Sequence, residues 1–260
     1  MNMYGLFIKK AFFDGWDNLL SLVLQNFLYI LLLIGFVGAM SIADAYYALT
    51  LVLIGVIFLV FCILLGGTAE TVKGYSNYKK ETWEPFSKGI RRNMRHSLLF
   101  ALVAFLIVFV LTFVMPFYFS MGNIVGLIIG VLLFWLSVIF LLALPYYFPL
   151  MNLLPGDRPK KTLKKCFIIL SDNLLFSLFF FIYSLIVLVM SFFTVGMVPG
   201  VSGYMLAGQD AMKLLMFKYD YLEENPDGRG KKIPWAEILY DEKEKVGPRS
   251  LKSMIFPWKY

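Results

Sequence analysis

Charge, histidine and cysteine are all scarce in this sequence. Asp, Glu, Lys and Arg make up 16% of its 260 residues, against about a quarter in ordinary soluble domains. Four stretches, 18–43, 45–69, 97–156 and 173–209, contain none of them. A soluble core cannot absorb runs of that length, so lipid is the expected solvent for much of the surface. The two cysteines, Cys62 and Cys166, and the single His96 exclude a disulfide framework and any Cys/His zinc spacing. No H-E-x-x-H, G-x-S-x-G or Walker A pattern occurs, and one histidine offers little acid–base capacity. No catalytic residue, metal or cofactor is expected, and the partner is the bilayer rather than nucleic acid. The first apolar run starts after some twenty residues and lacks a small-x-small cleavage site, so the N-terminal segment is expected to stay attached.

What the chain has instead is apolar bulk: 60% of residues are hydrophobic and 18% aromatic. A span takes about 20 apolar residues. The first two runs therefore each hold one, and the run 97–156 must fold back on itself. Lys and Arg sort by segment: two in 1–22, seven between 73 and 95, five in 157–165 and ten after 209, with none near 43–48 or 118–123. Basic loops stay cytoplasmic. The 173–209 run then needs two crossings to keep the basic end inside, with an outer turn at Val198-Pro199-Gly200. The alternative is one long tilted span followed by an interfacial helix. The expected fold is all-α, a multi-pass cell-membrane protein of six transmembrane helices (about 23–42, 48–67, 97–117, 123–145, 174–194 and 201–219). They form three hairpins. Both termini are cytoplasmic, and residues 220–260 form a cytoplasmic tail.

Each hairpin is preceded by an amphipathic cytoplasmic arm: Phe7–Gln25, Trp83–His96 and Pro159–Asp172. An asparagine stands at each arm–span junction, Asn26, Asn93 and Asn173, which suggests duplication of a hairpin unit. Glu70 and Lys73 close the first hairpin as Asp210 and Lys213 close the third, each acid one helical turn before its lysine. An acid where an apolar run ends marks either a helix-end ion pair or a polar site between repeats. The repeat reading pairs Glu70 with Lys213 or Asp210 with Lys73. Gly122, Gly126 and Gly130 make a small-residue face suited to close packing within the chain. Pro116 and Pro145 terminate or bend spans. Past Tyr219, a short helix from Pro234 puts Trp235, Ile238 and Leu239 on one face and Glu237, Asp241 and Glu242 on the other. The basic, aromatic end, 247–260, is suited to re-docking on anionic headgroups or on a partner.

Three segments carry a family likeness. They are Gly66-Gly67-Thr68-Ala69 leading to Phe86 and Arg91-Arg92-Asn93, Tyr147-Phe148-Pro149-Leu150 before Leu163 and Asn173, and Pro199-Gly200-Val201-Ser202 before Lys218-Tyr219. Over roughly residues 10–220 the chain resembles the YesL-like family of bacterial integral membrane proteins. It departs in a longer first hairpin (41–65) and in the 220–260 tail. The resemblance implies a link to sugar uptake or envelope physiology, because members are often encoded beside carbohydrate ABC transporters. It supplies no catalytic residues. The expected function is that of a non-catalytic accessory or scaffold component, possible partners including an ABC transporter. The alternative is a small transporter or channel with Glu70 and Asp210 lining a path.

Overall fold

The structure, a computed structural model, describes residues 2–226 and 233–249. Every regular element among them is helical. The order is α1 (Met3–Asp17), α2 (Leu19–Ser41), α3 (Tyr47–Ser76), α4 (Trp83–Arg92), α5 (Met94–Phe109), α6 (Met115–Ser120), α7 (Ile124–Ala143), α8 (Tyr147–Leu153), α9 (Pro159–Asp172), α10 (Leu174–Phe193), α11 (Gly200–Glu224), α12 (Trp235–Ile238) and α13 (Tyr240–Val246). Five stretches are long and apolar enough to cross a membrane: α2, α3, α5 through α6, α7 through α8, and α10.

Pro116 and Pro145 do not end these helical runs. Pro116 has no N–H for the carbonyl of Thr112. The chain answers with a π turn over Val110–Val114, and Met115 N donates to Val110 O. The helical run then continues to Ser120, past the expected end at 117. Pro145 sits in a 3-10 turn, Leu144–Tyr146, beyond which α8 carries the run to Leu153 instead of ending at 145.

Contacts fix which helices lie together. The α2 helix turns back into α3, Ala39 O accepting from Thr50 Oγ1 and Tyr29 bonding Thr68. The α5–α6 run lies along α7: a Cβ on Gly126 would meet Tyr118 O at 2.3 Å and one on Gly130 would meet the Phe119 ring at 2.6 Å. These glycines thus serve the close contact within the chain that their spacing implied. Gly122, at φ 63, forms the turn itself.

Helix α11 holds the centre. It packs on α1, α2, α3, α8 and α10 and buries a run from Met205 to Met212 that includes Gln209 and Asp210. Protein rather than lipid covers it, which is why it can be polar where the other long helices are not. Its entry differs from the expected outer turn. Residues 194–200 lie beside α2, Asn26 holding Met197 and Pro199, and a Cβ on Gly196 would meet the Ile30 side chain at 3.8 Å. From Ile30 to the end of α2 at Ser41 is about 16 Å of helix, so the turn falls well short of the α2–α3 turn. It carries exposed Phe192, Phe193 and Val195. Its backbone polar groups are met internally: Thr194 Oγ1 bonds both Val198 O and Val198 N, and Ser191 Oγ accepts from Gly200 N.

Candidate functional site

The expected junction asparagines divide into two kinds. Asn93 and Asn173 stand at sharp breaks between α4 and α5 and between α9 and α10. Asn93 Nδ2 donates to Gly66 O at 2.9 Å, and Asn173 takes Lys218 and Tyr219 as partners at 2.7 Å each. Asn26 is not a junction. The first arm breaks at Asn18, between α1 and α2, and Asn26 lies about two turns further on, fully buried. Its amide clamps the start of α11, donating to Met197 O and Pro199 O and accepting from Ser202 N. Gly200 makes this approach feasible: its φ is 64, and a Cβ there would sit 2.3 Å from Asn26 Nδ2. The sequence carried the true signal, since Asp17-Asn18-Leu19-Leu20 repeats as Asp172-Asn173-Leu174-Leu175.

The matched acid–lysine pairs also separate. Glu70 binds Arg92 of α4 at 2.5 Å and Lys73 at 3.9 Å, beside a charged surface cleft of about 320 Å³. Asp210 and Lys213 belong to a different constellation, buried where α1, the end of α3, α11 and α13 converge. No Glu70–Lys213 or Asp210–Lys73 ion pair within 4 Å forms among the described residues. Lys213 reaches α3 through a carbonyl instead, Ser76 O at 2.8 Å.

Lys10 is the hub. Its ammonium lies 2.6 Å from Asp14, 3.0 Å from Glu242 and 3.6 Å from Asp210, and donates to Ser76 O at 3.0 Å. Lys213 Nζ bonds the same Glu242 oxygen at 2.9 Å. Two lysines thus share a carbonyl at the C-terminal end of α3, where unsatisfied carbonyls carry partial negative charge. Tyr78, at φ 61, follows the helix end; its hydroxyl donates to Glu242, and its ring lies under Lys10 at 4.4 Å. A bulky residue in the left-handed region is costly, and here its side chain fills a place between two cations.

Two lysines face three carboxylates. Burial and the neighbouring Asp210 charge push Asp14 up to about 8, against the pull of Lys10, so Asp14 is neutral at pH 7. Burial would pull Lys10 down, but Asp210, Asp14 and Glu242 outweigh it and hold the ammonium above its usual range. For Glu242, burial is outweighed by Lys10 and Lys213, and its carboxyl is held below the usual value. Burial also pushes the Asp210 carboxyl up, against the pull of Lys10, and pulls the Lys213 ammonium down; the cluster as a whole is closed. It can bind segments together, and it leaves Asp210 with no hydrogen bond of its own.

Lys10, Asp14 and Tyr78 were not among the residues singled out from the sequence, and Glu242 was named only as part of a polar helix face. Lys10 and Asp14 share the α1 face of Met3, Leu6 and Phe7, all buried, while Ile8, Phe12 and Trp16 form the exposed stripe. Glu242 falls on the buried face of Leu239 and Val246, not on the polar face assigned to it, because the chain breaks at Leu239 between α12 and α13. Of the basic tail, Arg249 pairs with Asp17 at 2.7 Å; residues 250–260 lie outside the described residues. Comparison of the chain with protein-family models, with curated proteins and with solved structures finds no match in any of the three.

Proposed function

We propose that this chain is a non-catalytic accessory subunit of the cell membrane that docks on another membrane protein through its α5–α7 pair. The observation that carries this is an unburied aromatic ridge. Phe105, Phe109, Phe113 and Phe117 recur every four residues, the first three in ring-to-ring contact, and all four are exposed. No side chain from Val110 to Ser120 is buried, and from Ile124 to Leu136 only Gly126 and Gly130 are. A ridge at four-residue spacing matches the groove of a second helix, and packing rather than hydrophobicity drives helix association in lipid. The occupant is an apolar transmembrane helix of the partner. The YesL-like resemblance implies the membrane subunit of a sugar-uptake ABC transporter.

In this reading α2–α3 and α5–α7 cross fully. The α10–α11 pair is a third, shorter hairpin whose turn reaches the depth of Ile30. That gives six membrane-embedded segments with both termini cytoplasmic. The segregation of all 24 basic residues supports it, as does the internal satisfaction of the 194–200 backbone, which a turn immersed in lipid requires. The transporter alternative is the weaker reading, because among the described residues Glu70 and Asp210 pair with different cations, Arg92 and Lys10, in separate clusters.

The test is site-specific photocrosslinking in native membranes. A photoreactive residue at Phe113 is expected to trap the transporter's membrane subunit, and one at Ile186, an exposed site on α10, only lipid. Lipid adducts alone from Phe113 would remove the docking reading.

A further inference from the structure

A cavity of about 570 Å³ lies between α3, α5, α7–α8, α10 and α11, within the roughly 300–1,000 Å³ of small-molecule sites. Its walls are apolar, with Phe61, Phe100, Phe148 and Met205 among them, and no Asp, Glu, Lys or Arg lines it. Val108 of α5 and Leu188 of α10 line it and are also exposed, on helices apolar enough to span a membrane, so the cavity opens between α5 and α10. Entry is therefore sideways from the hydrocarbon, not from water.

One end of the lining is polar. Asn152 and Gln209 are 2% and 1% exposed. Both hydrogens of the Asn152 amide are committed, to Ala69 O at 2.7 Å and to Gln209 Oε1 at 2.9 Å. This fixes the amide orientation, because the flipped form would set oxygen against two acceptors. Asn152 Oδ1 is left buried with no donor, a state that native interiors rarely tolerate. The Gln209 amide nitrogen has no acceptor among the described residues. An apolar chamber thus ends in one free acceptor and one free donor.

We propose that this cavity binds a neutral single-chain lipid from the bilayer, its hydrocarbon chain filling the chamber and a head-group hydroxyl donating to Asn152 Oδ1. The hydroxyl oxygen, or an ester carbonyl next to it, accepts from Gln209 Nε2. A charged head is disfavoured, because nothing in the lining would compensate it at this depth. This site is independent of the Phe105–Phe117 ridge and of any docked partner.

The experiment is a native mass-spectrometric titration of the purified full chain with 1-monoolein and with methyl oleate, which has the same chain but no hydroxyl. One equivalent of monoolein is expected to bind, about tenfold more tightly than methyl oleate, the worth of one good hydrogen bond. Ala104→Phe, which fills the chamber from α5, is expected to abolish binding while leaving the melting temperature unchanged or higher. If that variant fails to fold, Leu188→Trp at the exposed mouth provides the same reading. Equal affinity for the two lipids, or undiminished binding to the blocked variants, would overturn the proposal.

Discussion

Without the Lys10 ammonium, Asp210 has no cation within 4 Å among the described residues. Removing one member of a buried ionic group leaves its partner uncompensated, which costs about 3–5 kcal/mol, whereas removing both can be nearly neutral. Lys10→Met is therefore expected to destabilise strongly. The double variant with Asp210→Asn should recover most of the loss, as read by denaturation in detergent; purely additive losses would contradict the pairing. Asp14 makes an opposite contribution. Its folded pKa of about 8 lies above its ordinary value, so the native state holds a proton that the unfolded chain releases. Stability from this group is full at acid pH and falls as pH rises towards 8. Asp14→Asn should flatten that decline between pH 5 and 8, and a melting profile of unchanged slope would count against a neutral Asp14. Lys10 was readable as buried from its three- and four-residue spacing to Phe7 and Leu6, and Asp14 from standing four residues beyond Lys10 on the same face. A charge count cannot reveal this, because it treats Lys10 like Lys9, whose ammonium reaches Gly247 O at the surface.

At the level of elements, the charge-free runs announced the five long apolar helices, because lipid imposes composition directly. The same criterion misjudges α11, since a helix wrapped by five others answers to its neighbours rather than to lipid. Nor can hydropathy place a turn in depth: Val198-Pro199-Gly200 has the composition of a turn wherever it sits, and only Asn26 shows where. That clamp gives a prediction. Asn26→Leu removes three hydrogen bonds to the 197–202 backbone and leaves their carbonyls and N–H buried, each at about 1–3 kcal/mol. The entry to α11 should then become accessible to thiol labelling at an introduced Ser202→Cys, a position fully buried in the native protein, and unchanged labelling would show that the clamp is dispensable. Along α7, Gly126→Arg should cost on the order of 2–3 kcal/mol on insertion scales, and more through collision with Tyr118 O. Normal accumulation of that variant in membranes would argue against the contact.

Taken whole, the molecule places both ends of its described chain in one cluster, α1 supplying Lys10 and α13 supplying Glu242. A reporter fused after Tyr219 is expected to be active only on the cytoplasmic side; activity outside would mean that α11 leaves the membrane on the other face. The cluster also has a consequence for biogenesis. Synthesis runs from the N-terminus, so Lys10 emerges before Glu242 and must wait more than two hundred residues for it. During that interval the arm has its helix but not its counter-charge, and the protein carries its own signal of incompleteness. Nascent chains arrested before residue 240 should leave α1 open to protease, and release of the full-length chain should close it. Quality control could then distinguish a finished copy from an unfinished one at a single buried ammonium.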